Sequence, residues 1–221
     1  MTKFLTLNKK GILLALLTGA LVFTLGDGHR LLFLSDLVLF LALSAVITSF
    51  GRIKKQGLGV YDRARGWQNV LANGAVPVMA AGLYWVSLGT AFLPPAVLAL
   101  AYIASVCAVM ADKFASEIGV LDGEPTILLT FKKAKKGASG GVTSVGLLAS
   151  LVGSSIIGAS AFALGVPVAY VIAVVFSGFF GNIIDSVFGY YEEKGYGNKH
   201  TSNFFCSLAG FLMCILILTA L

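Results

Sequence analysis

The stretch "LPPAVLALAYIASVCAVMADKFASEIG" (93–119) decides how the chain is read. Residues 93–111 carry no charge, and then Asp112, Lys113, Ser116 and Glu117 follow within two helical turns. An uncharged run of this length approaches the ~20 residues that cross a bilayer as helix. Apolar runs also occur at 11–26, 31–50, 70–91, 141–164, 166–187 and 204–221, with Asp36 and Asp185 as the charges within them. They are continuous rather than alternating, with Gly and Ala scattered through them, which excludes membrane strands.

Composition agrees. The 221 residues are 57% hydrophobic and 12% charged, with mean hydropathy +0.91, whereas soluble domains are about a quarter charged. The expected fold is an all-α, polytopic membrane helix bundle, a single domain over 1–221 with seven helices. Six is the alternative if the first run lies along the interface. A cleaved signal peptide is disfavoured, because no small-x-small site follows the first run.

The net charge of +6 does not point to nucleic acid, because its distribution follows topology. With a cytoplasmic N-terminus, every Lys and Arg except Arg30 falls on the cytoplasmic side, as the positive-inside rule requires. The expected location is the cell membrane, with the polar face in the cytoplasm. Cys107, Cys206 and Cys214 lie in apolar runs without metal-ligand spacing and read as buried hydrophobes.

Five polar stretches abut the cytoplasmic ends of the runs: 63–74, 111–119, 132–146, 181–195 and 198–203. Their convergence implies one composite site. Asp112 and Asp185 each stand near a helix end, and acids there are costly unless paired or hydrated. Gly181, Asp185 and Gly189 recur every four residues, a narrow face that permits close approach. Two carboxylates suit Mg²⁺ that keeps its waters and binds phosphates. The simpler reading, headgroup solvation with Lys113 and Glu117 paired at i, i+4, accounts for Glu117 but less well for Asp185.

"KKAKKGASGGVTSVG" (132–146) places Lys135 and Lys136 beside Gly137, Gly140 and Gly141, with Thr143 and Ser144 opening the next helix. Glycine amides and a helix start suit a phosphate or diphosphate; an equal alternative is a flexible helix entry whose lysines rest on anionic lipid. Ser116 and Ser186, beside the aspartates, join the candidate phosphate contacts. No G-x-x-x-x-G-K-[ST] and no G-x-G-x-x-G occurs, which argues against a P-loop or Rossmann site.

"RGWQNVLANGAVP" (65–77), "ADKFASEIG" (111–119), "GASGGVTSVG" (137–146) and "GNIIDSVFG" (181–189), in that order, resemble the DUF92/TMEM19 family of integral membrane proteins, which includes a plant phytyl-phosphate kinase. The resemblance runs from about residue 60 to 205. Lys113, Ala138, Ser139 and Asn182 depart from the family pattern but flank, rather than replace, the Asp, Glu and Gly positions.

The resemblance implies phosphorylation of an isoprenyl monophosphate to its diphosphate, with CTP as donor. On that reading Asp112 and Asp185 hold Mg²⁺, Glu117 assists, and the glycines with Lys135 or Lys136 cradle the triphosphate. Arg65, Asn69, Asn73 and Asn203 would hold the lipid phosphate while its tail lies among membrane lipids. Two alternatives remain open: a CTP-dependent cytidylyltransferase forming a CDP-lipid, and a non-enzymatic transporter or scramblase. A transporter would carry its polar groups at the bilayer midplane, where this chain has few.

Overall fold

A computed structural model describes residues 7–61 and 66–220. Its helices are α1 (Lys9–Leu25), α2 (Arg30–Ser49), α3 (Arg52–Gly57), α4 (Trp67–Ser87), α5 (Pro95–Gly119), α6 (Ser144–Gly158), α7 (Val168–Glu192) and α8 (Lys199–Ala220). A 3₁₀ turn over Asp27–His29 joins α1 to α2, and another over Ala159–Leu164 extends α6. Between α5 and α6, β1 (Thr126–Ile127) and β2 (Gly141–Val142) pair antiparallel, Thr126 opposite Val142.

Among the described residues six segments are long and apolar enough to cross a membrane: Asp27–Ser49, Trp67–Ser87, Pro95–Gly119, Ser144–Leu164, Val168–Glu192 and Lys199–Ala220. The seventh expected helix, α1, has 17 residues, about 25 Å at 1.5 Å per residue. It runs parallel to α4: Asn8 lies by Gly66, Thr18 against Gly74 and Leu25 near Gly82. It therefore packs alongside α4, and the six segments long and apolar enough to span match the lower of the two expected counts.

α5 is the axis. Leu98 through Met110 are all buried, with α2, α4, α6, α7 and α8 around them. A helix apolar on every side is stable only when surrounded, and its alanines and small polar residues admit close neighbours. The facing helices supply glycines. A Cβ at Gly181 would sit 2.5 Å from that of Ala108, and one at Gly210 would sit 2.9 Å from the Ala104 carbonyl. Lipid offers no hydrophobic gain for helix association, so such close packing and interhelical hydrogen bonds supply it. Ser207 donates to the Ser105 carbonyl at 3.1 Å, Ser154 to that of Val175 at 2.7 Å, and Tyr102 to that of Phe33 at 2.7 Å. The three cysteines are free and buried, as expected.

Gly178 is the tightest of these contacts, because a methyl there would overlap the Cys107 side chain and come within 2.5 Å of Ser154 Oγ. Overpacking at such a site costs about 1–3 kcal/mol. Gly178→Ala is expected to lower the melting temperature in detergent by several degrees, read by thermal denaturation, without altering the distant polar end.

α5 and α7 are alike in a way that positions the site. Each has 25 residues and starts beside a proline, and its aspartate, Asp112 or Asp185, is the eighteenth residue. Eighteen residues of helix rise about 27 Å, so each acid stands almost the ~30 Å thickness of a hydrocarbon core from the start of its helix.

Candidate functional site

The apolar-run reading ends before residue 112, but α5 continues to Gly119, so Asp112, Lys113, Ser116 and Glu117 are helical. Likewise α7 continues to Glu192, and α8 begins at Lys199 rather than 204. These polar turns, the first two turns of α4 and the loop 120–143 enclose a cavity of about 460 Å³ at one end of the bundle.

Its walls include most of the residues singled out from the sequence. Asp112, Ser116 and Glu117 come from α5, Asp185 and Ser186 from α7, Asn69 and Asn73 from α4, and Asn203 from α8. Lys136, Gly137, Gly140, Gly141 and Thr143 come from the loop. Lys135 and Ser144 are exposed and lie outside it, so they are not part of this arrangement. Arg65 falls outside the described residues.

At the floor the Asp185 carboxyl lies against that of Asp112, with Lys199 and Ser202 as its other polar neighbours. Like charges this close repel unless a cation offsets them. Three buried polar atoms lining the cavity have no hydrogen-bond partner: Asp185 Oδ1, Asn203 Oδ1 and Asn182 Nδ2. Buried polar atoms are nearly always satisfied, so two acceptors and a donor here are suited to a ligand. No group of three His, Cys, Asp or Glu side chains able to hold a metal occurs among the described residues. An adjacent carboxylate pair with one unpartnered oxygen fits Mg²⁺, which takes one or two carboxylates and completes its shell with water and phosphate oxygens.

The asparagines form a chain across two helices. Asn203 Nδ2 donates to Asn73 Oδ1 at 3.1 Å, and Asn73 Nδ2 donates to Asn69 Oδ1 at 2.9 Å. Pro77, four residues after Asn73, has no N–H, so the Asn73 carbonyl has no i+4 donor within α4.

The loop glycines have a different first task from the one expected. Gly140 takes φ +75 and packs backbone to backbone on Gly189, where a side chain on either residue would overlap the other's main chain. The Gly181-x-x-x-Asp185-x-x-x-Gly189 face is therefore closely approached along its length, by α5 and α8 at Gly181 and by this loop at Gly189. The Gly141 N–H donates to the Ala138 carbonyl at 3.2 Å, and the Ser139 N–H to Glu193 at 2.8 Å. Those two amides are engaged within the protein rather than turned to a phosphate. Thr143 likewise caps α6 by accepting from the Gly146 N–H at 3.0 Å, and Lys136 donates to the Asp122 carbonyl.

Gly140→Ala would add a side chain where the backbone is left-handed and the Tyr190 nitrogen is 2.5 Å away. The conformational cost is about 1 kcal/mol, and the overlap adds about 1–3. The expected outcome is an undocked loop, read as faster proteolysis within 120–143 in the folded variant.

Glu117 is the centre of an ion cluster that the sequence only half reveals. Lys113 pairs with it, as the i, i+4 spacing predicts. So does Lys55 of α3, at 2.6 Å, while Thr48 lies 3.1 Å from the same carboxylate. Lys55 is 1% exposed and also donates to the carbonyls of Ile47 and Thr48 at the end of α2, at 3.3 and 3.2 Å. Nothing in "GRIKKQG" distinguishes Lys55 from a solvated loop lysine, because its partner is 62 residues away. Sequence reasoning also did not single out Phe40, Asn182, Glu192 and Lys199 as site residues, although all line the cavity. His200 and Thr201 do not line it.

Fold and site together define a polytopic membrane protein whose cavity, at one end of the bundle, carries an acidic pair, lysines and asparagine side chains. The chain belongs to the DUF92 family of integral membrane proteins, whose model matches residues 1–212. It is 30% identical over 219 residues to an uncharacterized membrane protein of Methanocaldococcus jannaschii, covering 96% of this chain and 85% of that one. It is 36% identical over 91 residues to Protein PGR of Arabidopsis thaliana, covering 35% of this chain and 32% of that protein. No solved structure matches the chain significantly.

Proposed function

We propose that this chain is a lipid-phosphate kinase that uses CTP to convert an isoprenyl monophosphate into its diphosphate at the cytoplasmic face of the cell membrane. The observation that carries this reading is the Asp112–Asp185 pair, set into a cavity with unpartnered polar atoms. Membrane depth supports it, because a nucleotide from water and a lipid from the bilayer can meet only at such a boundary.

Phosphoryl transfer requires positioning and charge neutralisation more than covalent help from the protein. An oxygen of the acceptor monophosphate attacks the γ-phosphorus of CTP, a new P–O bond forms, and the bond to the β,γ-bridging oxygen breaks to leave CDP. That acceptor oxygen is already anionic, so no general base is needed. Mg²⁺ held by Asp112 and Asp185 would supply charge neutralisation for the nucleotide phosphates. Lys113, Lys136 and Lys199 border the cavity and add positive potential, and Asn69, Asn73 and Asn203 orient the acceptor headgroup. Glu117 serves by holding Lys55 and Lys113 in place rather than by touching substrate.

The test is a product assay on purified protein with Mg²⁺, geranylgeranyl monophosphate and each nucleoside triphosphate in turn. CDP with an isoprenyl diphosphate is the expected result. Free diphosphate with a CMP-lipid would instead assign cytidylyl transfer, and absence of turnover with every nucleotide would reject both enzymatic readings.

A further inference from the structure

The polar cavity does not stop at its asparagines. Phe40 of α2 and Asn69 and Asn73 of α4 line it and also line a second cavity of about 130 Å³ between α1, α2 and α4. Beyond those three residues the walls are aliphatic or glycine apart from the hydroxyls of Thr18 and Ser44. Val38, on its wall, is 57% exposed on the bundle surface, so the crevice has a side open to lipid. The space therefore grades from phosphate-binding groups through amides to hydrocarbon, the sequence of surfaces presented by an amphiphile with an anionic head.

We propose that this crevice holds the first isoprenyl unit of the lipid phosphate, with the headgroup at Asn69 and Asn73 and the rest of the tail leaving past Val38 into the bilayer. The inference rests on the acceptor class given above and adds where its chain sits. The volume supports one unit rather than a whole tail, since 130 Å³ is about four groups of water's size at ~30 Å³ each. Gly19 and Gly74 keep it open. Their nearest side-chain neighbours across the helix interfaces are Leu34 Cδ1 at 3.4 Å and Thr18 Cγ2 at 3.0 Å from a Cβ position. This gives α1 a role: running parallel to α4, it forms the wall without which the crevice would be bare lipid. Recognition limited to one unit makes the protein indifferent to chain length but selective for a branched chain next to the phosphate.

The experiment is photolabelling of the full chain in detergent with geranylgeranyl monophosphate bearing a diazirine on its first isoprenyl unit, with labelled peptides mapped by mass spectrometry. Label is expected on crevice residues of α1, α2 and α4. It should fall about tenfold in Gly19→Leu and in Ala45→Phe, which fill the crevice, since one misplaced methylene in an apolar site is worth at least that. Melting temperatures verify that both variants fold, and two independent positions guard against either failing. Label confined to the outer faces of α6 or α7, or unchanged in both folded variants, overturns the proposal. Crevice labelling by wild-type protein that turns over no nucleotide would support the crevice while rejecting the kinase, so the two failures are distinguishable.

Discussion

Asp185→Asn is expected to lower turnover of an isoprenyl monophosphate by about 10²–10³-fold, with Asp112→Asn behaving alike. A metal held at transferring phosphates contributes several kcal/mol of charge stabilisation, and each ~1.4 kcal/mol is tenfold in rate. Both variants should stay folded, because an asparagine keeps the shape of the carboxyl it replaces. Lost turnover and lost Mg²⁺-dependent nucleotide protection in a protein that still melts cooperatively are the expected combination. Wild-type turnover in either variant would remove the acids from the chemistry.

Glu117→Gln should give the opposite pattern. The substitution keeps the shape but removes the charge facing Lys55 and Lys113, two buried lysines. Breaking a buried pair from one side costs about 3–5 kcal/mol, because the remaining charge stays buried. The end of α2, whose Ile47 and Thr48 carbonyls accept from Lys55, would lose its anchor to α5. A melting temperature lower by about 10 °C is expected, at 2–4 °C per kcal/mol for a chain of this size. Whatever folded fraction remains should retain nucleotide protection. Unchanged melting with abolished turnover would instead return Glu117 to a catalytic role.

The contrast between two neighbouring acids shows where sequence reasoning succeeds. Spacing alone links Glu117 with Lys113, and helical periodicity alone puts Gly181, Asp185 and Gly189 on one face. Neither reveals that Asp185 meets Asp112, or that Lys55 reaches Glu117, because those pairs join helices with long stretches of chain between them. Gly140 and Gly141, which line the cavity, carry a structural role that the sequence does not show. Their pattern resembles a phosphate cradle, yet Gly140 is a glycine because α7 leaves no room for a side chain, and the Gly141 amide closes a turn.

The sequence by itself determined the solvent of this protein, because continuous apolar runs with 12% charge can be covered only by lipid. It also determined that the polar residues gather at one end, since each polar stretch adjoins the same side of an alternating chain. Only the tertiary structure decided which of them meet. Hydropathy marks where a helix leaves the apolar layer, but helical hydrogen bonding continues past that point. The polar turns to Gly119 and Glu192, and from Lys199, thereby become the walls of the site. Tertiary packing also gave α1 its place, because a 17-residue helix is of ambiguous length until Gly74 accepts Thr18 against it.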